Sequence, residues 1–164
     1  ASRLFPVEAA SLSLDYRLGG SASQLHVTAA RRDVIAQWLA PLQQAGLRPD
    51  VFELSSLALT QIAMRVPLRP HQLLIHPLCD HWLWTLAGEN SACGAATEPL
   101  TLAHLRDTFP QAQTVFCTSP QALPEAEVQR CKPLALLHYL QPPLPAEAGA
   151  LAIALGLALR PEDY

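Results

Sequence analysis

Histidines and a cysteine cluster in the stretch HQLLIHPLCDHWLWTLAGE, residues 71–89. His76, Cys79 and His81, with His71 nearby, are residue types that bind zinc, because imidazole and thiolate are its common ligands. Their spacing argues against a site: His76 and His81 are five positions apart, so they face opposite sides of a strand or lie across a turn. Since spacing places no fourth ligand either, we predict no metal here.

A cysteine–histidine pair is a second chemistry that these residue types allow. Cys79, Cys93 or Cys117 could be a nucleophile beside one of the six histidines, as in thiol enzymes. None of them lies in a recognisable catalytic motif. The chain also lacks the Cys-x-x-Cys pairs of zinc and redox sites. We interpret the four cysteines, which include Cys131, as reduced and mostly buried thiols.

Ligand binding through phosphate loops or aromatic stacking is also weakly supported. The chain has neither a G-x-x-x-x-G-K-[ST] nor a G-x-G-x-x-G motif, and its seven glycines offer little for a phosphate cradle. Trp82 and Trp84 fall on one face of a predicted strand and could stack a ligand. Such a pair more commonly packs beneath a helix, so we expect a core position.

Composition bounds the protein class. The chain has 164 residues, of which 50% are hydrophobic and 15% charged, with a formal net charge of −3. A packed core is therefore possible. The basic residues are scattered along the sequence and do not form the basic cluster that is typical of nucleic-acid-binding proteins. No apolar run approaches the roughly 20 residues of a membrane-spanning helix, and we recognise no secretion signal. These features predict a cytoplasmic globular protein.

The first third predicts a ββαβα order. SLSLDYRL and QLHVTAA alternate apolar and polar residues around a GGSAS turn, which indicates a hairpin. An amphipathic helix follows, with Gly46 as its C-terminal cap and a kink or an early end expected at Pro41. A strand at 51–54 and a second helix, capped by Ser55 or Ser56, complete the order. The prolines of VPLRP, residues 66–70, predict a domain boundary.

The remainder predicts a sheet and helices. QLLIH, HWLWTLAG and ENSACGAAT read as three successive strands, PLTLAHLRDTF as a helix capped by Thr101, and QTVFCTS as a further strand. QALPEAEVQRC is a poor helix. The cluster Pro142, Pro143 and Pro145 is either a surface loop, the interpretation we favour, or a polyproline ligand.

The last segment, GALAIALGLALRPEDY, alternates large and small residues as a strand would. Its alanine and leucine content favours a helix instead. We predict a helix that is buried nearly all round, with Gly156 allowing close approach to a sheet.

Three segments together resemble PilM-type type IV pilus assembly proteins, most closely the HofM branch associated with competence-like use of external DNA. They are LDYRL, then VTAARRDVIAQWLAPLQQAGLRPDVFELSSLAL, and finally AIALGLALRPEDY. The resemblance implies an actin-like ATPase fold. Residues 1–66 would be a small inserted ββαβ-type α/β subdomain with its exit helix, and residues 67–164 a degenerate ribonuclease-H-like second lobe. The first lobe would be missing, so we expect a fragment.

The resemblance also locates a phosphate loop that has degenerated. Nucleotide-binding members carry an Asp-x-Gly element, which is replaced in this chain around Ile75, His76 and Pro77, and proline lacks a backbone donor. The glycine-rich adenine loop would fall at FCTSPQALP, which has no glycine. We therefore expect no cofactor and no enzyme activity, the alternative being an ATPase with a divergent phosphate loop.

By resemblance, the chain is a scaffold of a type IV pilus-like or DNA-uptake assembly at the cytoplasmic face of the inner membrane. Its partner would be the cytoplasmic tail of a PilN-like inner-membrane protein, which would also supply its only membrane association. No partner-binding residue can be assigned from the sequence.

Overall fold

The computed structural model describes residues 7–18, 25–66, 68–88, 91–119, 123, 127–136 and 151–160. Within them the chain is a mixed α/β protein, as predicted, and it divides into two compact units, Ala1–Phe52 and Glu53–Tyr164. The proline cluster at 142–145 lies outside the described residues. None of the helices in the described part of the chain is long and apolar enough to cross a bilayer.

The first unit is built from a hairpin and a helix. Strands β1, Leu12–Leu18, and β2, Leu25–Arg31, pair antiparallel, which confirms the predicted hairpin. Helix α1, Arg32–Gln44, follows β2 directly and continues beyond Pro41. The prediction of an early end at Pro41 is thus wrong. Only one helical hydrogen bond is lost, and the carbonyl that would have received it belongs to Gln37, which is exposed to water.

Gly46 ends α1 as expected. Its φ of 76° is the left-handed conformation that glycine adopts at low cost. The N–H of Leu47 then donates to the carbonyl of Leu42 at 2.9 Å, the long bond of a Schellman cap. The sequence therefore predicted this helix end correctly.

The strand predicted at 51–54 does not form. Leu54 has extended dihedral angles, φ −68° and ψ 133°, but in the described residues no neighbouring strand pairs with this segment. An extended backbone becomes a strand only when a partner supplies the hydrogen bonds. The first unit is therefore ββα rather than ββαβ.

A five-stranded mixed sheet forms the second unit. Its strands are β3, Gln72–Pro77, β4, Trp82–Leu86, β5, Ala92–Ala96, β6, Thr114–Cys117, and β7, Gln129–Arg130, in the spatial order β5-β4-β3-β6-β7. The pairs β3–β4 and β4–β5 are antiparallel, whereas β3–β6 and β6–β7 are parallel. The first four strands were predicted. β7 was not, because two residues are too few to produce a periodic pattern.

Helices cover both faces of this sheet. Helices α2, Ser55–Arg65, and α4, Ala152–Ala158, pack on the face that carries Leu74 and Leu83. Helix α3, Leu102–Thr108, covers the other face, where Leu105 packs with Leu73 and Ile75. Neighbouring strand residues thus enter opposite cores, as the period of two requires.

The boundary between the compact units lies before α2, whereas the sequence placed it after this helix, at 66–70. Leu59 and Ile62 of α2 are fully buried in the core that contains Leu74. This helix therefore folds with the sheet that follows it. Proline pairs such as those in VPLRP interrupt secondary structure, but a unit boundary depends on which core an element joins.

Two further helix predictions need correction. The segment at 152–158 is helical as predicted, but it is not buried nearly all round, because Leu151 and Leu157 remain almost half exposed. Gly156 approaches helix α2, not a sheet. The N-cap of α2 is Leu54, with no side-chain cap bond, so neither serine has the predicted role.

Candidate functional site

The carboxyl ends of β3 and β6 meet at one edge of the sheet because the two strands are parallel. Ligands of open α/β sheets bind at this edge. β3 ends in His76 and Pro77, the position where the resemblance implies an ancestral phosphate loop, and β6 ends in Cys117, followed by Thr118. This edge is the candidate functional site of the second unit.

His76 is a core residue at this edge. Its side chain is buried, with 2% of its surface exposed, and its Nδ1 lies 2.7 Å from Oγ1 of Thr118. Burial and the nearby His81 lower the pKa of His76 below its ordinary value, so the ring is neutral near pH 7. The buried Nε2 has no hydrogen-bond partner among the described residues.

Pro77 and the turn that follows it present no phosphate cradle. A phosphate loop needs several free backbone N–H groups pointing at the ligand. Pro77 has none, and the N–H of Leu78 donates to the carbonyl of His81 at 2.8 Å. The two positions that would begin the cradle therefore offer no free donor.

Charge at the turn also disfavours an anion. The carboxylate of Asp80 lies 2.6 Å from Nδ1 of His81. This hydrogen bond lowers the pKa of Asp80, so the carboxylate is ionised at neutral pH. A pocket of about 220 Å³ beside the turn is lined by both Asp80 and Glu98. Phosphate would meet negative charge there.

The histidines and cysteine of the opening stretch do not form a metal centre. His71 directly precedes β3, whereas His76 lies near the carboxyl end of that strand. The backbone of His71, with φ 64°, bonds to Ala87 and Gln113 at the opposite edge of the sheet. Among the residues that the structure describes, no group of three or more potential ligands could hold a metal ion.

Burial removes two of the four cysteines, Cys117 and Cys131, as candidate nucleophiles. All four are free, but only Cys117 and Cys131 are buried, whereas Cys79 is exposed and Cys93 is partly buried. The prediction that the thiols are mostly buried therefore holds for two of the four. Burial raises the pKa of Cys117, whose Sγ donates to the carbonyl of Ser119 at 3.1 Å. Burial and the neighbouring Cys117 raise the pKa of Cys131 to about 11. Neither thiol ionises at neutral pH, and thiolate is the reactive form.

The two tryptophans pack beneath α3, as expected. Trp82 is 3% exposed, and its ring contacts Phe109 and His104 edge-on. The ring centroid of Trp84 lies 4.8 Å from that of Phe109. Trp82 Nε1 also donates to the carbonyl of Glu98 at 2.9 Å, which satisfies its polar atom inside the core.

The segment FCTSPQALP, where the resemblance implies an adenine loop, is described only in part. The N–H of Thr118 donates to the carbonyl of Ile75 at 3.2 Å. Residues 120–122 and 124 lie outside the described residues. The described part therefore extends the β3–β6 ladder by one bond.

The first unit carries a surface that sequence reasoning missed. In the hairpin register, Leu14 and Tyr16 lie on the same face as Val27, whose partner is Tyr16, and Leu25. All four side chains are substantially exposed, Tyr16 at 74%. The alternating pattern predicted that these residues share a face. It could not show that the described residues leave this face uncovered.

No family model matches the chain, and the search of curated proteins finds no match.

Proposed function

We propose that the chain is a non-catalytic adaptor with an actin-like second lobe, which docks the short cytoplasmic tail of a PilN-type inner-membrane pilus protein. The proposal places it at the cytoplasmic face of the inner membrane, in a type IV pilus-like or DNA-uptake assembly. The observation that carries the docking role is the exposed apolar face of the hairpin, because exposed apolar patches mark interaction surfaces.

The order of elements in the second unit supports the fold that this proposal requires. Three adjacent strands are followed by a helix, by β6, which is parallel to the first of them, by the short strand β7, and by a C-terminal helix on the sheet. An actin-like lobe requires this order. Equally, a sheet of another order would have contradicted the resemblance.

The carboxyl edge supports a non-catalytic role. Buried His76 fills the position of the implied phosphate loop, and the first two backbone positions of the turn present no free N–H group. An ionised carboxylate at Asp80 adds repulsion for a nucleotide phosphate. This edge therefore disfavours nucleotide binding, and a docking role does not require it.

Titration of the full-length protein with a peptide of the partner's tail tests the proposal. We expect saturable binding that is weakened by Leu14→Ser and Tyr16→Ser, since both changes remove exposed apolar surface from the hairpin. Met64→Ser is the matched control, because Met64 is an exposed apolar residue too, at 70%, but lies on α2 in the second unit. Absence of binding, or equal loss with all three variants, would contradict the docking proposal.

Calorimetry with ATP and magnesium addresses the competing hypothesis of an ATPase with a divergent loop. The described turn predicts no heat of binding, because Pro77 and Leu78 cannot donate to a phosphate. Saturable binding at micromolar ATP would favour the ATPase and refute our interpretation of His76 and Pro77. Tail binding and ATP binding are measured separately, so each hypothesis can fail by itself.

A further inference from the structure

Among the described residues, no strand pairs with the outer edge of β5. β5 and β7 form the two borders of the five-stranded sheet. β7 is only two residues long and carries Arg130, and short or charged edges resist pairing with further strands. By contrast, β5 pairs with β4 over five consecutive residues without a bulge, and residues 91–97 include no charged residue and no proline. In the part of the chain that the structure describes, β5 therefore has neither a charge, a proline nor a bulge that would resist a further strand.

The open edge presents backbone hydrogen-bonding groups that suit an extended strand. Along an edge strand, alternate residues direct their N–H and C=O groups away from the sheet. A second copy of β5 running antiparallel satisfies these groups reciprocally, because a two-fold axis relates each donor to an acceptor on the other copy. A charged side chain close to such an axis would stand near its own copy and be repelled. The uncharged sequence of β5 avoids this repulsion.

Side-chain size allows the same pairing. β5 consists of alanine, cysteine and glycine only, so a neighbouring strand meets no bulky side chain. A Cβ atom added to Gly94 would lie 2.8 Å from Cζ2 of Trp84 and 3.1 Å from its Nε1. The indole of Trp84 therefore extends over the edge strand, where it is only partly buried. A second strand beside β5 would remove more of this apolar ring from water.

We propose that β5 pairs antiparallel with β5 of a second copy of this chain, which joins two sheets into one continuous sheet across a two-fold axis. Five residues on each side form a small interface. Interfaces of this kind are weak and transient, so the dimer depends on protein concentration.

Sedimentation velocity of the chain over a range of concentrations tests the pairing. We expect a monomer–dimer equilibrium that shifts to the dimer as the concentration rises. Ala95→Lys should raise the dimer dissociation constant at least about tenfold, because it places two ammonium groups near the axis. Ala103→Lys is the matched control, since Ala103 is an exposed residue of α3 and the same charge there should leave the equilibrium unchanged.

Hydrogen exchange of the amides in β5 provides a second measurement. Protection at 92–96 should increase with protein concentration in the wild type and not in Ala95→Lys. If circular dichroism shows that Ala95→Lys is unfolded, Ala92→Lys replaces it, since Ala92 is also exposed on β5. A wild-type chain that stays monomeric at all concentrations overturns the proposal. A dimer that persists in the folded β5 variant also overturns the proposal. The same holds if Ala103→Lys weakens the dimer as much as the β5 variant does.

Discussion

Gly156 of α4 lies directly against the main chain of Ala58 in α2. A Cβ atom added to Gly156 would stand 2.0 Å from the carbonyl oxygen of Ala58 and 2.6 Å from its carbonyl carbon. Both atoms belong to backbone, so no side-chain rotation can relieve the overlap. The close approach of the two helices therefore depends on the absence of a side chain at position 156.

We expect Gly156→Ala to destabilise the protein by about 1–3 kcal/mol, because the overlap must push α4 away from α2. The better helix propensity of alanine, worth about 1 kcal/mol, opposes this loss but does not cancel it. Urea unfolding measures the change. Ala154→Gly, at an exposed position of the same helix, reports the propensity effect alone. A stabilised Gly156→Ala variant would show that the helices are not in contact here.

His76 should make the folded state sensitive to acid. Its folded pKa lies below the ordinary value of 6.5 because the ring is buried and close to His81. As the pH falls through 6.5, the unfolded chain takes up the proton first, so stability decreases until the pH has passed the folded pKa. We expect His76→Leu to reduce the loss of stability between neutral and mildly acidic pH, as measured by urea unfolding at several pH values.

The matched control for this pH series is His26→Leu, because His26 is an exposed residue of β2. The effect of His76→Leu on the pH dependence should exceed that of this control. An equal loss of stability in acid for the wild type and His76→Leu would show that His76 does not take up the proton.

Thr101 should contribute measurably to the stability of α3. Its Oγ1 accepts a hydrogen bond from the N–H of His104 at 3.1 Å, which caps the helix. Thr101→Ala removes this acceptor and should cost about 0.5–2 kcal/mol in urea unfolding. Thr101→Ser keeps the hydroxyl and should stay close to the wild type. If serine and alanine destabilise the protein equally, the methyl group and not the cap bond is responsible.

The cysteines should react with a thiol reagent in a fixed order. Cys79 is exposed, whereas Cys117 and Cys131 are buried with raised pKa values, that of Cys131 being about 11. Near pH 8 we expect Cys79 to be labelled first and the two buried thiols to react only after unfolding. Peptide mapping by mass spectrometry identifies the modified positions. Native labelling of Cys131 as fast as Cys79 would contradict its burial.

Local patterns predicted most of the secondary structure. The alternation in SLSLDYRL and QLHVTAA identified the hairpin, and Gly46 and Thr101 marked the helix ends at which the structure places them. Each of these features depends on residues that are close in sequence: a hairpin by its turn, a helix end by its cap. Phosphate-binding motifs are local sequence patterns as well, so the sequence alone shows that the chain has neither of the two that we searched for.

The candidate site could be located only approximately from the sequence. The sequence drew attention to His76 and Pro77, but not to the hydrogen bond between His76 and Thr118, which are 42 positions apart. The alternating pattern predicted that the apolar residues of the hairpin lie on one face. The exposure of this face was not predictable, because exposure depends on which other elements pack against it.

The sequence by itself predicted most of the strands and helices, although it added a strand at 51–54 and missed β7. It also shows that neither a nucleotide motif nor zinc spacing is present. Tertiary structure decided that α2 joins the core of the second unit, that the segment at 51–54 lacks a strand partner, and that α4 buries one face against α2. It also decided that β5 borders the sheet, with no further strand beside it among the described residues. The physical reason is the range of the interactions: dihedral preferences and capping act within a few residues, whereas burial and strand pairing join segments that are distant along the chain.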